Sequence, residues 1–103
     1  MTTRVVNLRH ESYDVYIGRA GRGEDGYFGN PVRVGGLCSR CGDAHADGGS
    51  TLFCYRTYFY ARLASDPEFY QRVAALRGAV LGCFCKPHPC HGDIIVEWIH
   101  SAD

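Results

Sequence analysis

The sequence predicts a small single-domain α/β sandwich, with helices flanking a mixed or parallel sheet. Three observations lead there. Short β-branched runs and stretches of helical periodicity follow one another in the order strand, strand, helix, helix, strand, helix. The third strand, Ala79–Cys85, is apolar without alternation, the pattern of a strand buried on both faces. The chain has 103 residues, enough for one modest core, which a metal staple would help to hold.

Taken in order, Arg4–Arg9 and Tyr13–Gly18 read as strands, the second with Val15 and Ile17 on one face. From Gly18 to Gly49 the chain carries ten of its 13 glycines and no helical period, so this stretch is a long loop fixed by something other than packing. Thr51–Ala64 places Leu52, Tyr55, Phe59 and Leu63 at helical spacing behind Ser50 as N-cap. Asp66-Pro67-Glu68 supplies a cap, a first-turn proline and a first-turn acid for a second helix, which carries Phe69, Val73 and Leu76 and stops at Gly78. Pro87 and Pro89 end the strand that follows. The last helix, about Gly92 to His100, offers Ile94, Ile95, Trp98 and Ile99 for docking on the sheet.

Formal net charge is zero, which argues against tight sequence-independent binding to a nucleic-acid backbone. Arg4, Arg9, Arg19, Arg22 and Arg33 nevertheless crowd the first third, and one basic surface there would receive a small anionic or nucleotide-like ligand. The start Met-Thr-Thr-Arg-Val-Val lacks an apolar signal segment and no run approaches transmembrane length, so a cytoplasmic location with reduced thiols and no membrane partner is expected. Nothing in the pattern fixes an oligomeric state.

Six cysteines form two groups, each with histidine: Cys38, Cys41, His45 and Cys54, then Cys83, Cys85, Cys90 and His91. A disulfide framework is the plain reading of six cysteines in a small protein, but the spacings and the missing export signal favour metal. The first group is C-x2-C-x3-H-x8-C. Its Cys-x-x-Cys is the spacing of a zinc knuckle, a tight turn that aims both sulfurs at one point, with Gly42 at the exit. Four protein ligands close a site and make it structural, so the expected metal set is Cys38, Cys41, His45 and Cys54, in an insertion at about 36–54. Zinc is the expected ion, although spacing alone does not separate it from iron. The plain alternatives are a buried helix cysteine for Cys54 and a solvated loop histidine for His45.

The second group is less suited to one ion. Cys83 and Cys85 face the same side of a strand roughly 6–7 Å apart, farther than two sulfurs on one metal permit unless the strand bends. Cys83 then belongs to the core. Cys90-His91-Gly92-Asp93 opens the last helix, where free amides favour anions and depress thiol pKa values. Cys90 is therefore a candidate activated thiolate with His91 or His88 as base, or a metal ligand with an open position. Between the two groups, Arg19, Tyr27-Phe28 and Gly29-Asn30-Pro31 have the composition of an anion- or base-binding loop, beside the simpler reading of ordinary turns.

Val15-Tyr-Ile-Gly-Arg19, Gly29-Asn30-Pro31, Tyr55-Arg56, Leu76-Arg-Gly78 and Leu81-Gly-Cys83-Phe-Cys85-x-Pro87-x-x-Cys90-His91-Gly92-Asp93 together resemble one family, the domain of unknown function family 4326 of bacteria and their phages. The resemblance covers nearly the whole chain, and its C-terminal motif is the specific part. Many members lack the Cys38–His45 segment and the cysteine at position 54, which implies that the C-terminal motif works without the knuckle. The resemblance implies a bacterial or phage-infected cell as setting and implies no reaction.

The leading expectation is a zinc-binding α/β domain that holds a nucleotide-like or phosphorylated ligand between Arg19–Pro31 and Cys85–Asp93, with Arg19, Gly29, Asn30, Cys85 and Gly92 lining it. If it is an enzyme of nucleotides or modified bases, Cys90, His91 and Asp93 carry the chemistry. The competing expectation is a non-catalytic, zinc-stapled binding or adaptor protein.

Overall fold

Three strands and three helices occur among the described residues in the expected order: β1 Arg4–Asn7, β2 Val15–Tyr16, α1 Leu52–Ser65, α2 Pro67–Ala74, β3 Val80–Cys83 and α3 His91–Ser101. The computed structural model describes residues 2–19, 21, 23–31, 35, 38, 41, 42, 44, 51–84, 86 and 90–101. Arg22, Arg33, His45, Ser50, Cys85, Pro87, His88 and Pro89 lie outside the described residues.

The sheet is parallel throughout, in the order β1-β3-β2. Its central strand pairs Val80–Cys83 with Arg4–Asn7 on one side and Leu81–Gly82 with Val15–Tyr16 on the other. Alternation puts Val5, Val15, Ile17, Leu81 and Cys83 on one face. That face shares a core with Tyr55 and Phe59 of α1, Phe69 and Val73 of α2, and Ile94, Ile95 and Ile99 of α3. Tyr55, Phe59, Ile17, Leu81 and Ile95 are fully enclosed, and truncating an aromatic such as Phe59 to alanine would cost about 3–5 kcal/mol.

β1 and β2 are parallel yet flank β3, so residues 8–14 must cross it. A crossover this short is unusual, since parallel strands generally need a helix-length connection. Gly82 makes it possible: a Cβ there would lie 2.6 Å from the Tyr13 ring, which occupies the space a side chain would take. The observed strands are shorter than the apolar runs, because β2 is trimmed to two paired residues where the chain enters and leaves this crossing.

The helices begin and end for local reasons. Asp66 caps α2 through Oδ1, which accepts from the Phe69 amide at 3.1 Å, with Pro67 next in line. That amide, then Arg62, holds the Asp66 carboxyl below its usual range. α1 starts after Thr51. No helix among the described residues is long and apolar enough to cross a membrane.

Candidate functional site

Because every strand runs the same way, Asn7, Ile17 and Cys83 leave the sheet at one edge, the edge where open parallel sheets bind ligands. α3 begins there. Gly92 lets the helix start settle onto the sheet, since a Cβ on it would lie 2.6 Å from Ile17 Cδ1 and 2.9 Å from Val5 Cγ2. Cys90, the residue before the helix, is the cap. Its Sγ accepts from the Gly92 amide at 3.4 Å, and the Asp93 carboxylate reaches back to the Cys90 amide at 3.1 Å. This is a capping box with sulfur in place of the usual hydroxyl. Lys86 Nζ donates to the other Asp93 oxygen at 2.5 Å.

His91 is buried and its Nε2 lies 2.6 Å from the Ile17 carbonyl. A carbonyl only accepts, so Nε2 carries the proton and, in the neutral ring, Nδ1 is an acceptor. Nδ1 lies 3.7 Å from Cys90 Sγ. Burial first, and the Arg19 charge in addition, push the His91 pKa below its usual value, against the Ile17 bond and the Cys83 and Asp93 charges that favour the cation. A neutral imidazole thus faces a thiol at a helix N-terminus. Tyr55 stands edge-on to the His91 ring at 5.2 Å, closing it from the core side.

Cys83 ends β3 on the same face, and its Sγ lies 2.8 Å from Cys90 Sγ. Both residues are about 1% exposed. The Gly29-Asn30-Pro31 loop serves structure at two of its residues. A Cβ on Gly29 would lie 2.8 Å from the Gly18 carbonyl oxygen and 3.1 Å from Arg19 Cα, so glycine lets the loop press on the backbone after β2. Asn30 is buried, its Nδ2 donating to Thr51 Oγ1 at 2.9 Å, which ties the loop to the start of α1. Arg19 is exposed beside them. Farther along the edge, the Arg9 guanidinium lies 5.1 Å from the centre of the half-exposed Phe84 ring. An open groove of about 510 Å³ runs along Leu8–Tyr13; Cys90 and His91 do not line it.

The first cysteine group assembles. The sulfurs of Cys38, Cys41 and Cys54 all lie within 4.8 Å of one another, the group of three potential metal ligands found among the described residues. Cys38 and Cys54 sulfurs are 3.7 Å apart. Two thiolates on one tetrahedral ion with bonds of ~2.3 Å stand about 3.8 Å apart, so the spacing fits. The knuckle turn closes through a bond from the Gly42 amide to the Cys38 carbonyl at 2.9 Å, with Gly42 at φ +82°. Burial, then the Cys41 and Cys38 sulfurs, push the Cys54 thiol up to about 11, as expected when three acids share a pocket without a cation. Cys54 itself is carried by the first turn of α1, as its place after Thr51 implied.

The family model for a domain of unknown function, DUF4326, matches residues 2–101. The chain belongs to this family. It is 32% identical over 97 residues to an uncharacterised 12.4 kDa protein of the nrdA-td intergenic region of Enterobacteria phage T4, covering 94% of this chain and 77% of that protein. No solved structure matches.

Sequence reasoning assembled Cys38, Cys41 and Cys54, and put Arg19 and Cys90–Asp93 on one edge. It missed two partners of the second group. The group that orients His91 is the Ile17 backbone carbonyl, which has no residue-type signature. Asp93 faces the Cys90 amide and Lys86 rather than His91. Cys83 was assigned to the core, where it is, but its sulfur also meets Cys90; the signal available was the strand–loop–helix unit itself, which brings a strand end under the next helix cap.

Proposed function

We propose that this is a single zinc-stapled α/β domain, residues 1–103, that binds a small nucleotide-like or phosphorylated ligand at the carboxyl edge of its sheet. The observation that carries the reading is the placement of the α3 N-terminus, through the His91–Ile17 bond, at the edge where all three parallel strands end. Helix amides favour an anion there. Arg19 supplies a guanidinium close enough to act on the His91 charge. Exposed Phe84 and Tyr13, with Arg9 beside Phe84, add aromatic and cationic surface suited to a base. Gly29, Asn30, Cys85 and Gly92 belong to the same reading as the loop and helix start around the ligand.

In this reading Cys38, Cys41 and Cys54 hold zinc with His45 as fourth ligand, in an insertion at about 36–54. The ion keeps the insertion folded; the ligand site belongs to the sheet edge. Titration with ADP, AMP and inorganic phosphate, followed calorimetrically on the zinc-loaded chain, tests the binding. Arg19→Ala is expected to weaken ADP binding about tenfold or more while the melting temperature stays put. Failure of ADP, AMP and inorganic phosphate alike to bind would end the proposal.

A second reading rests on the Cys90–His91 contact. There the ligand is also a substrate, Cys90 attacks it with His91 Nδ1 as base, and Asp93 holds the helix start that presents them. Cys90→Ser should then keep fold and zinc and lose turnover. Loss of metal and of fold in that variant would favour a non-catalytic adaptor.

A further inference from the structure

We propose that Cys83 and Cys90 form a redox-active dithiol that a peroxide-class oxidant closes into a disulfide, with Cys90 as the attacking thiol and Cys83 as its resolving partner. The sulfurs are already 2.8 Å apart, and closing to a bond of ~2.05 Å takes a movement of about 0.8 Å. Contrast this with the metal group, whose 3.7 Å spacing suits an ion between two sulfurs. At 2.8 Å there is no room for one.

The two sulfurs are not equivalent. Cys90 Sγ accepts the Gly92 amide at the cap of α3 and faces the acceptor nitrogen of His91. A proton acceptor and a helix amide thus both stand within reach of its sulfur. Cys83 sits at the end of the central strand, with Cys90 Sγ against its sulfur. The roles follow. Cys90 passes its proton to His91 Nδ1 and attacks one peroxide oxygen; an S–O bond forms, the O–O bond breaks, and the departing hydroxide takes that proton back to leave as water. Cys83 then attacks the Cys90 sulfenic sulfur. An S–S bond forms, the S–O bond breaks, and a second water leaves with the Cys83 proton. Two thiols lose two electrons and one peroxide becomes two waters. Both residues are about 1% exposed, so hydrogen peroxide, the smallest peroxide, is the oxidant to use. This inference stands apart from ligand binding at the same edge.

The test uses the zinc-loaded chain, stoichiometric hydrogen peroxide, alkylation of remaining thiols and peptide mapping by mass spectrometry. A Cys83–Cys90 cross-link with a loss of about 2 Da, the two thiol hydrogens, is the expected product. Cys83→Ser should stop at a dimedone-trappable sulfenic acid on Cys90, and Cys90→Ser should leave Cys83 as a thiol. His91→Gln, which keeps a donor for the Ile17 carbonyl but has no base, should slow the step about tenfold or more. A cross-link from Cys90 to Cys85, oxidation confined to Cys38, Cys41 and Cys54, or sulfenic acid appearing first on Cys83 would each overturn the assignment. The wild-type map decides even where a variant fails to fold.

Discussion

Two groups of cysteines share this chain, and the structure separates them by what stands between their sulfurs. Cys38, Cys41 and Cys54 leave a gap of the size an ion fills. Cys83 and Cys90 leave none. The first group is gathered by one turn and the start of α1, local pieces that bring three sulfurs to a spacing compatible with an ion. The second is gathered by the sheet and α3, and its described members each have a protein partner: a strand for Cys83, a helix amide for Cys90, a carbonyl for His91.

The contrast breaks most directly at the metal. Elemental analysis of the native chain is expected to give about one zinc per chain, and Cys38→Ser should lose it with a fall in melting temperature of more than about 10 °C, because structural zinc binding is folding energy. A ratio near two would place an ion at the second group and erase the distinction.

Next in size are changes under the start of α3. Gly92→Ala forces a Cβ onto Ile17 and Val5 and should cost about 1–3 kcal/mol in chemical denaturation. His91→Ala orphans the Ile17 carbonyl for about 1–3 kcal/mol, and His91→Gln should recover much of it. Neither should change the zinc content; loss of zinc in either would mean the groups are coupled.

pH separates the groups in opposite windows. His91 is depressed in the fold, so its neutral form contributes stability above about 6.5, lost as pH falls below that. His91→Gln should flatten that acid limb in a melting series. For the metal-free chain, the raised Cys54 thiol contributes stability below about 9 that is lost as pH rises through about 11. Zinc reverses the requirement, since it takes the thiolate, so adding zinc at neutral pH should release protons measurable in weak buffer. A smaller effect belongs to Asp93→Ala, which removes the return half of the capping box and should cost about 1 kcal/mol. Arg56→Ala, which breaks the exposed pair with Glu97, should shift the melt by less than its error.

How much was legible follows from whether the cause was local. Asp66-Pro67 announces α2 because a cap and a first-turn proline act within one turn. The apolar run at β3 announces a central strand because burial on both faces removes alternation. The knuckle cysteines announce a shared point because a tight turn delivers both sulfurs. β2 was overestimated because its length depends on where residues 8–14 cross β3, which no property of Tyr13–Gly18 records. The bond from the Asn30 amide to Thr51 was not legible, because buried amides take whatever partner the packing presents.

By itself, then, the sequence determined the element order, the α/β class, the meeting of Cys38, Cys41 and Cys54, and the family, all consequences of periodicity, turn chemistry and short-range spacing. Only the tertiary structure decided that the sheet is wholly parallel, that Gly82 makes room for Tyr13 of the short link that crosses β3, that His91 is fixed by a backbone carbonyl, and that Cys83 meets Cys90. Those are contacts between segments far apart along the chain, set by which strand ends lie beneath which helix, and neither residue type nor local spacing encodes them.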